Sequence, residues 1–302
     1  MTTTHRLAAL FACTAALLAP CVSAQVFMGS DNFNDNSLTI QTGAQLPGQW
    51  RFSFPNSAGS NGALTETNGR MEYTTTATSG FNRGQLGWSS PSSSVSPEGA
   101  VGLSNGTPYA SNWVAQVSVT NTVQGLLDGA YTGLGLEIYT LAAGNTNNGY
   151  YGVSFRQNAY GAHVVTEWGT WSPDANNFIP GGEGFGGSAF DGVTSAILRM
   201  SYDGSAKSLQ FSYSLDAGAT YLVGTTIDLA GAHAGPEEPL NGGIGLRLIA
   251  FTNNGAGPIT SGQMTFDNFS VTPSAIPEPS TYAALAGVLA LGLVAWRRRR
   301  AA

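Results

Sequence analysis

Few groups in this chain could do metal or acid–base chemistry. Residues 25–276 hold two histidines, His163 and His233, and no cysteine, too few nitrogen and sulfur ligands for a zinc site. Oxygen ligands are more plentiful. Asp31 and Asp35, beside Asn32 and Asn34, and Asp267, beside Asn268, could hold Ca²⁺ if the two ends of the folded region meet. The spacing Asp-x-x-x-Asp is not that of an EF-hand loop, and the same residues suit Asx turns. Hydrolysis of a glycosidic bond needs two carboxyl groups flanking it on one face. Glu137 and Glu167 stand alone on their strands, Glu237-Glu238 lies between prolines, and nothing in the sequence joins any two of them. Trp168 and Trp171, in Trp-Gly-Thr-Trp at a predicted strand end, could stack on sugar rings as a ligand-binding pair. The plainer reading puts Trp168 in the core and leaves only Trp171 partly exposed. Tyr160, Tyr109 and Trp88 are weaker candidates for the same role.

The elements that would position these residues read as strands. Apolar residues alternate at Met71, Tyr73, Thr75; at Trp113, Ala115, Val117, Val119; at Leu134, Leu136, Ile138; and at Tyr151, Val153, Phe155. Further runs cover 197–202, 209–215, 244–251 and 264–271. Asp128-Gly129, Asn148-Gly149, Asp203-Gly204, Asn241-Gly242 and Asn254-Gly255 mark turns between them. Ten to twelve such strands predict an all-β, two-sheet antiparallel sandwich filled by alternate side chains. Gly182-Glu-Gly-Phe-Gly-Gly187 fits Gly-x-Gly-x-x-Gly but lacks the strand-to-helix context of a dinucleotide site, so it reads as a glycine-rich loop.

Both chain ends read as targeting segments. His5 and Arg6 precede the apolar residues 7–19, and Val22-Ser23-Ala24 is a small-residue cleavage site, so residues 1–24 read as a signal peptide and the mature chain starts at Gln25. A lipoprotein leader is the weaker reading, because Cys21 follows Pro20. Cys13 and Cys21 leave with the leader, so the folded region must hold without disulfides. At the other end, residues 273–281 form a linker carrying Pro277, Glu278 and Pro279. Residues 282–296 form an apolar helix of roughly 22 Å, short for the ~30 Å hydrocarbon core. Residues 297–302 form a basic tail in which Arg297, Arg298, Arg299 and Arg300 hold the C-terminus in the cytoplasm.

That triplet, helix and basic stop, in this order, resemble the PEP-CTERM sorting signal. The resemblance implies export from a Gram-negative bacterium, with signal peptidase and an exosortase as partners. It implies transient single-pass anchoring in the inner membrane through the C-terminal transmembrane helix, and then the cell surface or the extracellular matrix. A permanent C-terminal anchor is the plainer alternative. Asp31-Asn-Phe-Asn-Asp-Asn-Ser-Leu38, Glu66-Thr-Asn-Gly-Arg-Met-Glu-Tyr73 and Met264-Thr-Phe-Asp-Asn-Phe-Ser-Val271 resemble bacterial concanavalin A-like (laminin G-like) jelly rolls. The resemblance spans most of residues 29–272 and implies that the first and last strands lie together. An immunoglobulin-like sandwich is the alternative. The Glu-x-Asp-x-x-Glu strand of jelly-roll glucanases does not occur here. Ser214-Leu-Asp-Ala-Gly-Ala-Thr-Tyr221 resembles the Asp-box of sialidase propellers, but one copy alone predicts a hairpin.

Composition narrows the rest. Of twelve basic residues, Arg6 and the four terminal arginines sit in the targeting segments, which leaves seven; of eighteen acidic residues only Glu278 is lost, which leaves seventeen. The β-sandwich ectodomain, residues 25–272, is therefore strongly acidic, which excludes nucleic-acid binding through phosphates. By the tail's resemblance, the expected role is a non-catalytic structural or glycan-binding component of exopolysaccharide or biofilm. A polysaccharide hydrolase of jelly-roll fold is the alternative, and a coat with neither groove nor cleft is a third reading. Beyond possible structural Ca²⁺, no cofactor is expected.

Overall fold

The structure is a computed structural model that describes residues 29–36, 50–54, 62–88, 94–95, 101–102, 112–140, 149–172, 177–185, 190–206, 208–228, 244–273 and 287. Residues 1–24, Pro277, Glu278, Pro279, most of the apolar helix and the four terminal arginines lie outside these. Among the described residues no helix is long and apolar enough to cross a membrane.

Among the described residues seventeen strands occur, most of them in two antiparallel sheets. The first sheet runs, in spatial order, β15 (Leu222–Asp228), β14 (Ser208–Ser214), β13 (Ser195–Asp203), β8 (Trp113–Asn121), β17 (Met264–Pro273), β4 (Arg70–Thr75) and β3 (Gly62–Thr67), with β1 (Gly29–Asp31) beside β17. The second runs β12 (Asn177–Phe185), β11 (Gly161–Ser172), β10 (Gly149–Asn158), β9 (Tyr131–Thr140), β16 (Ile244–Asn253), β5 (Asn82–Trp88) and β2 (Trp50–Phe54). A small ribbon joins β6 (Ser94–Val95) and β7 (Val101–Gly102). Residues 24–274 form one compact unit.

The predicted alternation is realised strand by strand. On β8 every second residue from Trp113 to Asn121 is buried, and on β13 the same holds for Ala196, Leu198, Met200 and Tyr202. Leu134, Leu136 and Ile138 of β9, Val153 and Phe155 of β10, and Leu246 and Leu248 of β16 meet them from the second sheet. Side chains of period two fill one gap, and the other face of each sheet turns away.

The strand count exceeds the expected ten to twelve because short strands such as β1, β5 and β15 carry too few alternating apolar residues to stand out. Residues 182–185 require a correction. They are strand rather than loop, because β12 pairs with β11 there, Glu183 opposite Glu167 and Phe185 opposite Val165. Glycine removes side-chain signal without removing backbone donors and acceptors.

The first and last strands do meet: Gly29 lies opposite Val271 and Asp31 opposite Phe269. Where they meet, Trp50 stacks on Phe33 at 5.6 Å and contacts Trp88 at 4.7 Å and Phe269 at 4.9 Å. The Trp50 indole Nε1 donates to Asp31 Oδ2 at 2.6 Å, which satisfies its one polar atom inside an aromatic cluster.

Candidate functional site

The outward face of the second sheet gathers Glu137, Glu167, Arg156 and Arg247 in one band. Arg247 on β16 lies opposite Glu137 on β9, Glu137 opposite Gly152 on β10, and Gly152 opposite Glu167 on β11. Alternation puts these side chains on one face, since Leu136, Ile138 and Val153 point into the core. Gly152 is needed here: a Cβ on it would lie 2.8 Å from Glu137 Cγ, so the Glu137 side chain lies over this position. Two strand spacings put the Glu137 and Glu167 backbones roughly 9–10 Å apart. In the sequence these glutamates stand isolated. A shared register with one glycine joins them, and no local motif records such a link.

Each glutamate has an arginine. Arg247 donates from Nε and Nη2 to Glu137 Oε2, both at 2.6 Å, and from Nη1 to Gln85 Oε1 at 3.0 Å. Arg156 Nη2 lies 2.5 Å from Glu167 Oε1, and its Nε donates to Ser154 Oγ at 3.0 Å. Glu137 is 4% exposed, and burial pushes its pKa up; Arg247 opposes that rise and Glu167 adds to it. The Arg156 guanidinium also sits over the Tyr131 and Phe251 rings, at 5.5 and 5.3 Å. Gly133 leaves room for Phe251: a Cβ there would lie 2.3 Å from the ring.

Beside this band opens a cavity of about 250 Å³, lined among others by Tyr131, Arg156, Asn158, Tyr160 and His163. The tight β10–β11 connection builds its rim. Asn158 Oδ1 accepts from the Tyr160 amide at 2.8 Å and lies 3.2 Å from His163 Nε2. Tyr160 is 67% exposed and donates from its hydroxyl to Asp128 Oδ1 at 3.0 Å, and this hydrogen bond raises its pKa. Burial lowers the pKa of His163, so the imidazole is neutral near pH 7. The rim thus offers an exposed aromatic face, a neutral ring nitrogen, an amide and a guanidinium, groups that suit a polyhydroxylated ligand.

The other candidates named from the sequence fall as follows. Trp168 lies opposite Tyr151, Trp171 opposite Phe178, and β11 is irregular between Trp168 and Gly169; the two indole side chains lie outside the described residues. Tyr109 lies outside them too. Trp88 is 2% exposed in the aromatic cluster and presents no stacking face. Asp31 accepts from the Phe33 amide through Oδ1 and from Trp50 through Oδ2. Asp267 accepts from the Asn268 amide at 2.7 Å. Among the described residues no three His, Cys, Asp or Glu side chains gather as a metal-holding group.

Residues 215–221 connect β14 to β15. Asp216 accepts from Ser214 Oγ, the Thr220 amide and Thr220 Oγ1, which hold its pKa down at about 2. Gly218 takes φ +92°, and the Tyr221 ring lies under the Arg199 guanidinium at 4.8 Å. These contacts stabilise the turn and its flanks.

No curated protein matches this chain in sequence. Solved structures similar to it include the winged bean acidic lectin complexed with methyl-α-D-galactose, 14% identical over 74% of this chain and 97% of that one, TM-score 0.41. A glycoside hydrolase family protein from Mycobacterium thermorestibile is 13% identical over 81% and 100%, TM-score 0.40. An alginate lyase from Pseudomonas aeruginosa is 10% identical over 70% and 86%, TM-score 0.39. At the C-terminus, residues 275–300 match the PEP-CTERM protein-sorting motif, and the chain is therefore an exported protein that carries an exosortase-type sorting signal after an all-β sandwich.

Proposed function

We propose that this protein is a non-catalytic, glycan-binding component of the extracellular polysaccharide matrix, with the cavity beside Tyr160 as its binding site. The carrying observation is the make-up of that cavity. It sets an exposed tyrosine, an amide and a neutral imidazole next to a band whose two carboxylates are each closed off by an arginine. A paired, buried carboxylate is poorly placed to hand a proton to a substrate, whereas the tyrosine face and the amide can bind without turnover. Export brings the domain to where polysaccharide is the abundant ligand.

The test uses the full chain in detergent with purified exopolysaccharide of the producing organism. Co-sedimentation and release of new reducing ends are measured together. The expected result is retention without new reducing ends, and retention that falls roughly 2–10-fold in Tyr160→Ala. New reducing ends, or retention indifferent to Tyr160, would overturn the reading.

One observation favours a hydrolase instead: Glu137 and Glu167 share a row across a glycine on one sheet face, and a glycosidic bond needs two carboxyl groups flanking it. On that reading Glu167→Gln abolishes reducing-end release and spares retention.

A further inference from the structure

Arg70, Arg156 and Arg247 each hold a carboxylate, Glu72, Glu167 and Glu137 in turn. Arg199 of β13 holds none among the described residues. It is half-buried, and its Nε is buried without a hydrogen-bond partner. Its row across the outward face of the first sheet is neutral. Ser212 on β14 and Gln116 on β8 lie opposite it, and Ser270 on β17 lies opposite Gln116. The Tyr221 ring packs on the guanidinium at 4.8 Å, and the Tyr221 hydroxyl donates to Gln116 Oε1 at 3.5 Å. A cation held in place in this way, with no carboxylate of its own, is set to take one from a ligand.

A groove runs beside it. The 215–221 connection folds over β13: besides the Tyr221 contacts, a Cβ on Gly218 would lie 3.3 Å from Ile197 Cδ1. On the far side of β8, β17 is irregular between Asp267 and Ser270, and Asn268 stands exposed there at φ +49°. Between these walls, over β8 and β13, lies a cavity of about 460 Å³, lined among others by Gln116, Ser118, Thr120, Ser195, Ile197 and Asn268. Its size is that of small-molecule sites. Hydroxyls and amides line it, with Ile197 as an apolar strip. Gln116 Oε1 is taken by Tyr221, which leaves Nε2 as a donor. Asp216 is held inside its own turn by Ser214 and Thr220. Asp267, opposite Ser118, lies two strand spacings from β13, roughly 10 Å.

We propose that this groove is a second ligand site and takes a carboxylate-bearing sugar, a uronate residue of a polysaccharide. Arg199 meets the carboxylate, and Gln116, Ser118 and Ser195 meet the hydroxyls. The Tyr221 ring fixes the guanidinium beforehand, so less side-chain entropy is lost on binding. A guanidinium grips a carboxylate through two parallel hydrogen bonds, which a neutral sugar does not offer. The acidic balance of the domain opposes a polyanion only at range, because it is screened beyond about 8 Å at physiological salt. The groove lies on the opposite sheet from the Tyr160 cavity, and the proposal stands without that site.

The experiment is calorimetric titration of the full chain in detergent with oligogalacturonate, and with the same oligomer after its carboxyl groups are reduced to neutral alcohols. Both titrations are run in Tyr160→Ala, so that the other cavity contributes nothing. The acidic oligomer should bind at least tenfold more tightly than the neutral one, the scale of one charge-assisted bidentate contact. Adding Arg199→Gln should remove that preference. Adding Ser195→Trp instead, at an exposed position on the groove, fills the groove without touching the core and should also remove it. Equal binding of the two oligomers in Tyr160→Ala, or a preference that survives Arg199→Gln or Ser195→Trp, overturns the proposal.

Discussion

Glu72 ties distant parts of the chain together through one carboxylate. It accepts from Asn68 Nδ2 at 3.2 Å, Arg70 Nε at 2.8 Å, the Gly262 amide at 2.9 Å and the Ser261 hydroxyl. It thus joins the β3–β4 hairpin to the approach to β17. Burial pushes its pKa up, but hydrogen bonds from Ser261, Arg70 and Asn68 outweigh that, so the folded value lies below 4.5. The linkage sign follows: this stabilisation is complete above the ordinary carboxylate pKa and is lost as pH falls through the lowered folded value. Glu72→Gln should lower stability by about 1.5–3 kcal/mol at pH 7 and flatten the acid limb of a Tm-versus-pH curve. An unchanged acid limb would show that other carboxylates govern it. Glu137 is a different case. Arg247→Met strands it in a nearly dry position and should destabilise by about 3–5 kcal/mol in urea unfolding, and adding Glu137→Leu should recover most of the loss. None of these pairings was legible in the sequence. Arg247 and Glu137 are 110 residues apart, and only register brings them face to face.

Strands and turns were legible where the side chains carry the pattern. Asn254-Gly255 is a turn with both residues at positive φ, 51° and 87°, the geometry for which Asn-Gly is favoured. Asn68-Gly69 does the same between β3 and β4, at 54° and 71°, and the same rule would have found it. Elements built by close approach were not legible. Residues 75–78 and 256–259 lock together through two hydrogen bonds between Thr75 and Ile259, at 3.1 and 2.9 Å. A Cβ on Gly257 would lie 2.0 Å from the Ala77 carbonyl oxygen, so backbone itself would have to move. Gly257→Ala should therefore lower stability by roughly 1–3 kcal/mol and speed hydrogen exchange at the Thr75 and Ile259 amides. Exchange equal to that of the native chain would mean that the lock is dispensable. The Tyr160 cavity belongs to this scale too. Its rim is a two-residue connection between long strands, and its lining is shared by β9, β10 and β11, so no single stretch of sequence carries it.

For the molecule as a whole the legible parts were the sandwich class and the sorting tail, because both are written in composition and order rather than in contacts. The order of strands within the sheets was not, since antiparallel partners such as β8 and β17 lie more than a hundred residues apart. Export decides which ligands the domain can meet, and the glycan proposal assumes an extracellular medium. The decisive measurement is the intact mass of the protein recovered from the surface and matrix fraction of the producing organism. The expected chain starts at Gln25 and ends near Pro277-Glu278-Pro279, without the four terminal arginines. A full-length chain starting at Met1 and recovered from the cytosol, with none at the surface, would contradict that expectation.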